Sequence, residues 1–331
     1  MVWFVFLVTA LAVVLAGTLL ARNADVIADR TGIGHVWIGT FLLAAVTSLP
    51  ELVTDTTAVL RGVPELGTGD LFGSNMANMA ILGLLGLVYS RRRVIQREAL
   101  GIALTASVAI LMTGLASLFI FARLEVDLRW LSIGSLALVA VLLANAFLIQ
   151  RLRVTTAHPD VTPLATVARA EEPSLAVAAG WFAAAALVIL AAGPFLVISA
   201  EEIAELTGVS TTFFGVLALA LATSLPELAT SATAVRIGAM DMAVGNLFGS
   251  NVANMAILVW LDVVHVEGPL LESIDVSNGL AGMVAVLLMT VGLMEMILRT
   301  ERRRLPFDPA AVVILTGYVL GLLLVWNAGG S

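Results

Sequence analysis

The sequence TSLPEL occurs at residues 47–52 and again at residues 223–228, each time inside a long apolar run. Proline removes a backbone hydrogen bond from a helix, and a glutamate is costly in an apolar environment. Each copy therefore predicts a helix that is interrupted beside a carboxylate. The duplication predicts that the interruption is built twice, once in each half of the chain.

The composition places these interruptions in a membrane. The chain has 331 residues, of which 60% are hydrophobic and 12% are charged. Its mean hydropathy is +1.03, which excludes a soluble globular protein. The absence of cysteine excludes disulfides and thiolate metal sites. We expect the lipid bilayer as the environment, no cofactor, no nucleic-acid partner and no obligate protein partner.

Repeated apolar runs predict an all-α integral membrane protein with ten transmembrane helices. A polar segment, 151–173, separates a first half (1–150) from a second half (174–331). The predicted spans are 2–21, 34–60, 68–90, 99–122, 129–150, 174–198, 211–235, 243–261, 276–298 and 309–327.

The two halves are an internal repeat. Residues 44–83 align with 220–259 at a constant offset of 176, without a gap, and 24 of the 40 paired positions are identical. Each half holds an odd number of predicted spans, so the second half crosses the bilayer in the opposite direction. Inverted repeats of this kind are typical of secondary transporters, with the binding site at the repeat interface.

Arginine placement predicts the orientation. The segments after odd-numbered spans hold 14 arginines, whereas those after even-numbered spans hold three. The positive-inside rule then places both termini outside the cell and the 151–173 linker in the cytoplasm, in a multi-pass protein of the cell membrane.

Oxygen-bearing side chains surround both interruptions. Thr47 lies one helical turn before Glu51, and Ser74 and Asn78 are four residues apart on one face of the next span. The equivalent set of the second half comprises Thr223, Ser224, Glu227, Ser250 and Asn254, and Ser48 completes the first set. Oxygen ligands with two carboxylates suit a hard cation such as Ca²⁺, for which Glu51 and Glu227 would be the metal-binding acids.

These motifs resemble the two alpha repeats of the calcium/cation antiporter superfamily, most closely its prokaryotic sodium/calcium exchanger branch. The resemblance covers essentially the whole chain, with alpha-1 at 39–83 and alpha-2 at 215–259. It implies the sodium/calcium exchanger fold, in which spans 2, 3, 7 and 8 form a core and the long, tilted spans 1 and 6 slide over it.

The resemblance also implies a ligand set for the cations. That set comprises Glu51, Glu227, Thr47, Ser48, Thr223, Ser224, Ser74, Ser250, Asn78, Asn254 and the carbonyl oxygens of Ala44 and Ala220.

Four positions stand apart from this pattern. Asn254 occupies a position that is often aspartate in sodium/calcium exchangers, which leaves two acids in the central site. Asp70 replaces a family asparagine, and we expect it at a solvated helix end near a mouth of the pathway. Asp55 lies either along the external ion path or at the cap of a neighbouring helix. Glu295 has no role that the family supplies.

The sequence thus predicts an antiporter, not an enzyme. The leading hypothesis is exchange of Ca²⁺ against Na⁺ by alternating access. Exchange of Ca²⁺ against H⁺ is the alternative, favoured by the missing third acid, and an ion channel with the same ligands is a more distant one.

Overall fold

The structure, a computed structural model, describes residues 1–31, 47–88, 99–123, 132–153, 173–236, 240–298 and 308–329. Within these ranges the chain is helical apart from short turns, and it forms no β-strand. The helices are α1 (Val2–Thr31), α2 (Leu49–Leu60), α3 (Pro64–Val88), α4 (Ala99–Ala122), α5 (Ile133–Arg153), α6 (Leu175–Thr207), α7 (Thr211–Thr223), α8 (Leu225–Arg236), α9 (Met240–Val264), α10 (Val276–Leu298) and α11 (Pro309–Gly329). A single helical turn, Leu270–Ser273, precedes α10.

The prediction of an all-helical membrane protein is confirmed. Within the described ranges, seven helices are long and apolar enough to cross a bilayer, and the bent pair α7–α8 would make an eighth. The apolar part of α5, Ile133–Phe147, is shorter, and residues 34–46 of the predicted second span lie outside the described residues. The count of ten spans therefore stays a prediction, as does the position of the linker, of which 154–172 lies outside the described residues.

Helices α1 and α6 are longer than their apolar segments predicted. They contain 30 and 33 residues, or about 45–50 Å of helix at 1.5 Å per residue. Helix α6 continues through polar residues until Gly208. This glycine has a φ of +69°, the left-handed conformation that commonly ends helices. Both helices exceed the roughly 30 Å of a bilayer's hydrocarbon core, which requires a tilt or projection beyond it.

Burial separates a core from a periphery. In the apolar window of α3, 78% of residues are buried, and in α9 61%, whereas the values for α1 and α6 are 22% and 33%. Helices α3 and α9 therefore form the centre of the molecule, against which α2, α4, α7, α8 and α10 pack. Helices α1 and α6 lie outside this core, as the family resemblance implied, and they pack chiefly along each other.

Two equivalent glycines mark where the outer helices cross the core. A Cβ atom on Gly17 of α1 would lie 2.5 Å from Pro226 Cγ and 3.6 Å from Pro50 Cγ. A Cβ atom on Gly193 of α6, which is related to Gly17 by the repeat offset, would lie 2.8 Å from Val53 Cγ1. The outer helices thus contact the interrupted helices directly.

A second close approach joins the two halves inside the core. Helix α3 meets the middle of α7, where residues Gly215–Leu219 form a π-helical turn. A Cβ atom on Gly73 would overlap the carbonyl oxygen of Val216 and lie 2.5 Å from its Cα. This glycine therefore allows the backbones to touch and brings polar side chains of α3 against α7.

We predict that Gly73→Ala destabilises the folded protein by about 1–3 kcal/mol, because the added methyl group meets backbone that cannot move aside. Thermal unfolding of the detergent-purified protein measures this. The matched control is Gly180→Ala in α6, where an added Cβ meets nothing within 4 Å; its stability should stay the same or rise by up to about 1 kcal/mol. Equal stabilities of the two variants would contradict the close approach.

Candidate cation-binding site

The interruption predicted at the second TSLPEL copy is present. Helix α7 ends at Thr223, α8 begins at Leu225, and the two axes differ by 45°. The residue between them, Ser224, has φ −84° and ψ 2°. Ser48, its equivalent before α2, has φ −85° and ψ 11°. The serines of the two copies thus share one backbone conformation.

The interruption explains how a carboxylate is accommodated at this depth. Glu51 and Glu227 both lie in the first turn of a helix, α2 and α8 respectively. The N-terminal turn of a helix carries unpaired N–H groups and a partial positive charge, which favours a negative side chain. Both glutamates are buried, with exposed fractions of 1% and 0%.

Hydroxyl groups of the two halves meet in reciprocal pairs. The hydroxyl oxygens of Thr47 and Ser250 are 3.4 Å apart, and those of Ser74 and Thr223 are also 3.4 Å apart. Each pair joins one half of the chain to the other, and the repeat offset converts one pair into the other. This reciprocity is what a twofold relation between the halves requires.

Four asparagines form a second set of reciprocal contacts. Asn78 Nδ2 donates to Asn251 Oδ1 (2.8 Å), and Asn254 Nδ2 donates to Asn75 Oδ1 (3.1 Å). The ligand set predicted from the sequence contains Asn78 and Asn254 but not Asn75 and Asn251. Their signal was available, since GSN stands at the same place in both halves, but their partners lie in the opposite half.

Several buried oxygens at the centre have no hydrogen-bond partner among the described residues. The Asn78 and Asn254 amides are held through nitrogen, which leaves both Oδ1 atoms unpaired. Unpaired oxygens also belong to the first-turn glutamates and to the serines of the two breaks. The complete set is Ser48 Oγ, Glu51 Oε2, Asn78 Oδ1, Ser224 Oγ, Glu227 Oε1, Glu227 Oε2 and Asn254 Oδ1. Buried oxygens without donors are costly in a protein and are favourable ligands for a cation.

The structure describes one of the two alanine carbonyls that the resemblance implied. Ala220 O accepts the Ser224 N–H at 3.0 Å, so one of its lone pairs is already used by the helix. Ala44 lies outside the described residues.

Asp70 does not occupy the solvated helix end that we expected. It is fully buried in α3, and its Oδ1 accepts hydrogen bonds from Thr223 Oγ1 (3.0 Å) and Ser74 Oγ (3.3 Å). The expectation was wrong because Gly69 and Gly73 let α3 lie against α7 along this face. Asp70 therefore contacts two side chains of the predicted ligand set.

Asp55 is also fully buried, one turn after Glu51 in α2. Its carboxyl group faces that of Asp70, and Thr54 Oγ1 lies 3.4 Å from Asp55 Oδ1 and 3.5 Å from Asp70 Oδ2. The structure thus brings four carboxyl groups to this region, where two were predicted. Among the described residues no compact group of three acidic or histidine side chains forms, so any ion must use amide and hydroxyl oxygens as well.

Other acids have structural contacts away from this region. Asp262 is buried and accepts the backbone N–H groups of Ser132 and Leu270, each at 2.7 Å. Glu201 forms a surface ion pair with Arg61 at 3.0 Å. That pair places the end of α2 and the end of α6 on the same side of the molecule.

Comparison with known proteins agrees with this geometry. The chain belongs to the sodium/calcium exchanger protein family, whose model matches residues 1–149 and 177–327. The members of this family are membrane transporters rather than enzymes. The chain is 28% identical over 332 residues to the inner membrane protein YrbG of Escherichia coli, a match that spans 97% of this chain and 95% of the relative.

Solved structures share the fold. The H⁺/Ca²⁺ exchanger CAX superimposes with a TM-score of 0.66 at 16% identity, over 99% of this chain and 88% of the other. The sodium-calcium exchanger NCX_Mj superimposes with a TM-score of 0.62 at 19% identity, over 97% of each chain. The protein is therefore a multi-pass cation exchanger with the sodium/calcium exchanger fold.

We predict that Asn251→Leu weakens Ca²⁺ binding, because the Asn78 amide loses the acceptor that directs its oxygen. The unpaired donor should also cost about 1–3 kcal/mol of stability. Ca²⁺-dependent thermal stabilisation of the purified protein measures both effects. The control is Asn278→Leu, a buried asparagine that donates to Thr212 Oγ1 (3.3 Å) outside the proposed ligand set; it should lower stability without reducing the Ca²⁺-induced shift. The prediction fails if both variants respond to Ca²⁺ as the wild type does.

Proposed function

We propose that this exchanger moves Ca²⁺ against Na⁺ by alternating access at the site between α2, α3, α8 and α9. The observation that supports this is the set of buried, unpartnered oxygens arranged reciprocally around Glu51 and Glu227. Carboxylate, amide and hydroxyl oxygens match the preference of Ca²⁺ for six to eight oxygen ligands. The ligands proposed are those that the family resemblance implied, Ala44 and Ala220 included.

The additional acids support Na⁺ as the counter-ion. The sequence alone suggested that Asn254 leaves the site one acid short. The burial of Asp70 against Thr223 and Ser74 supplies a further carboxyl group to that region. Either Ca²⁺ or several monovalent cations can neutralise a site that carries several negative charges.

Obligatory exchange follows from the cost of moving the site without its ions. A charged side chain at mid-bilayer costs about 2.5–3.5 kcal/mol or more. Four carboxyl groups without cations would make the change of access prohibitively costly. The state that exposes the site to the other side is then reached only when Ca²⁺ or its competitor is bound.

Exchange against H⁺ is the second candidate. The observation that favours it is the buried pair of Asp55 and Asp70, whose carboxyl oxygens lie 3.4 and 3.5 Å from Thr54 Oγ1. Two neighbouring buried carboxyl groups can share a proton. Reconstituted transport separates the two candidates: ⁴⁵Ca²⁺ uptake driven by an opposed Na⁺ gradient supports the first, and uptake driven by a pH gradient without Na⁺ supports the second. Uptake that needs neither gradient would indicate a channel and would overturn both.

We predict that Glu51→Gln and Glu227→Gln each reduce gradient-driven ⁴⁵Ca²⁺ uptake by at least about tenfold, because loss of one of two charged ligands costs more than 1.4 kcal/mol of binding. Both proteins should still reach the membrane. The matched control is Glu201→Gln, which removes only the surface ion pair with Arg61 and should transport normally. Wild-type uptake by either site variant would contradict the ligand assignment.

The proposed orientation can be tested by labelling single introduced cysteines, because the chain contains no cysteine of its own. We predict that the cysteine of Ser331→Cys reacts with a membrane-impermeant maleimide on intact cells. The cysteine of Ala157→Cys, in the linker, should react only after the cells are permeabilised. The opposite labelling pattern would reverse the proposed topology.

A further inference from the structure

One pair of contacts differs between the otherwise matched halves. In the second half, Asn246 Nδ2 donates to Ser231 Oγ at 3.3 Å. The repeat offset of 176 relates these two residues to Asp70 and Asp55. All four side chains are buried, with exposed fractions of at most 1%. The same structural position therefore holds a neutral amide–hydroxyl contact in one half and a pair of carboxyl groups in the other.

The hairpin of α2 and α3 holds the two carboxyl groups together. Helix α2 ends in a turn in which the Val63 N–H donates to Ala58 O (3.0 Å), and α3 begins at Pro64. A Cβ atom on Gly67 would lie 3.1 Å from Asp55 Cα, so α3 lies directly against α2 at this point. The proximity of Asp55 and Asp70 is thus fixed by backbone packing.

Hydroxyl donors satisfy these carboxyl groups only in part. Asp70 Oδ1 accepts from Thr223 and Ser74, and Thr54 Oγ1 lies between the two acids. Asp55 Oδ2 is buried and has no donor among the described residues. This oxygen therefore has no hydroxyl or amide donor, and the group that Asp55 meets is the Asp70 carboxyl.

The described residues provide no buried positive side chain for the pair. Among the described side chains no arginine is buried, and the chain contains no lysine. Two adjacent buried carboxyl groups repel each other and lose their hydration, which hydroxyl donors offset only partly. A small cation that prefers oxygen ligands would balance this charge.

We propose that Asp55 and Asp70, together with Thr54, form a second cation site in the first half of the chain, for a hard cation of the Na⁺ or Ca²⁺ type. This inference rests on the proposed exchange function and adds a site that the second half lacks. Asp70 also contacts Thr223 and Ser74, which belong to the proposed central ligands. A cation bound at the second site would therefore affect the binding of ions by these two central ligands.

The test uses a double variant in which the two acids are replaced by the residues at the equivalent positions of the second half. Asp55→Ser combined with Asp70→Asn places the Ser231–Asn246 pair in the first half and removes both charges. Equilibrium binding of ²²Na⁺ and ⁴⁵Ca²⁺ to the purified full-length protein is measured at alkaline pH. We expect the double variant to bind about one cation fewer per chain than the wild type. The isotope in which the loss occurs identifies the ion.

Two further variants keep the result interpretable. Asp55→Asn preserves the side-chain volume and replaces the double variant if that protein folds poorly. It should show the same loss of one bound cation. Ser231→Ala combined with Asn246→Ala alters the neutral pair and should bind as many cations as the wild type. Unchanged binding of both isotopes by the folded double variant or by Asp55→Asn would overturn the proposal.

Binding of a proton rather than a cation by Asp55 and Asp70 would also overturn the proposed second site. In that case the wild type would release more protons on adding Ca²⁺ than the double variant does, while both bind the same number of ions. Failure of the central site is distinguished by Glu51→Gln and Glu227→Gln in the same assay. If these variants lose Ca²⁺ and the Asp55/Asp70 variants do not, the proposed function stands and only the second site falls.

Discussion

Negative charge buried without a fixed positive partner is the constraint on which this molecule depends. Glu51, Asp55, Asp70 and Glu227 are all at most 1% exposed, and no arginine is buried among the described side chains. The protein accommodates the two glutamates at the first turns of interrupted helices, where the backbone is electropositive. In the proposed function mobile cations balance the remaining charge, and their binding would stabilise the folded protein.

The geometry of the site depends on helices that approach more closely than side chains normally allow. Gly73 and Gly69 on α3 face the backbone of α7, and Gly17 on α1 faces Pro226. Close contact in the core holds Ser74 and Asp70 against Thr223. Gly17 of α1 contacts Pro226, and Gly193 of α6 contacts Val53, so a displacement of either outer helix would act directly on α2 or α8.

The two halves are matched in the groups that orient ligands and unmatched in charge. Hydroxyl pairs and amide pairs occur reciprocally at similar distances in both halves. The Asp55–Asp70 pair has only a neutral counterpart, Ser231 and Asn246. An inverted repeat offers equivalent gates to the two sides of the membrane, and the charge of this buried pair is where the two halves differ.

The membrane class, the repeat, the interruption at the second TSLPEL copy and most of the oxygen-bearing residues could be predicted from the sequence. These features are local: hydropathy, proline, and side chains spaced by one helical turn lie within single segments. The lengths of α1 and α6 were underestimated because a helix continues through polar residues once it leaves the apolar layer.

The sequence did not predict which polar groups meet. Asp70 and Thr223 are 153 residues apart, and Asn78 and Asn251 are 173 residues apart. Their contacts arise because glycines allow helices of opposite halves to touch, and no periodicity within one segment encodes the partner in another. For this reason the sequence predicted Asp70 at a solvated helix end, whereas the structure places it in the interior beside the candidate site.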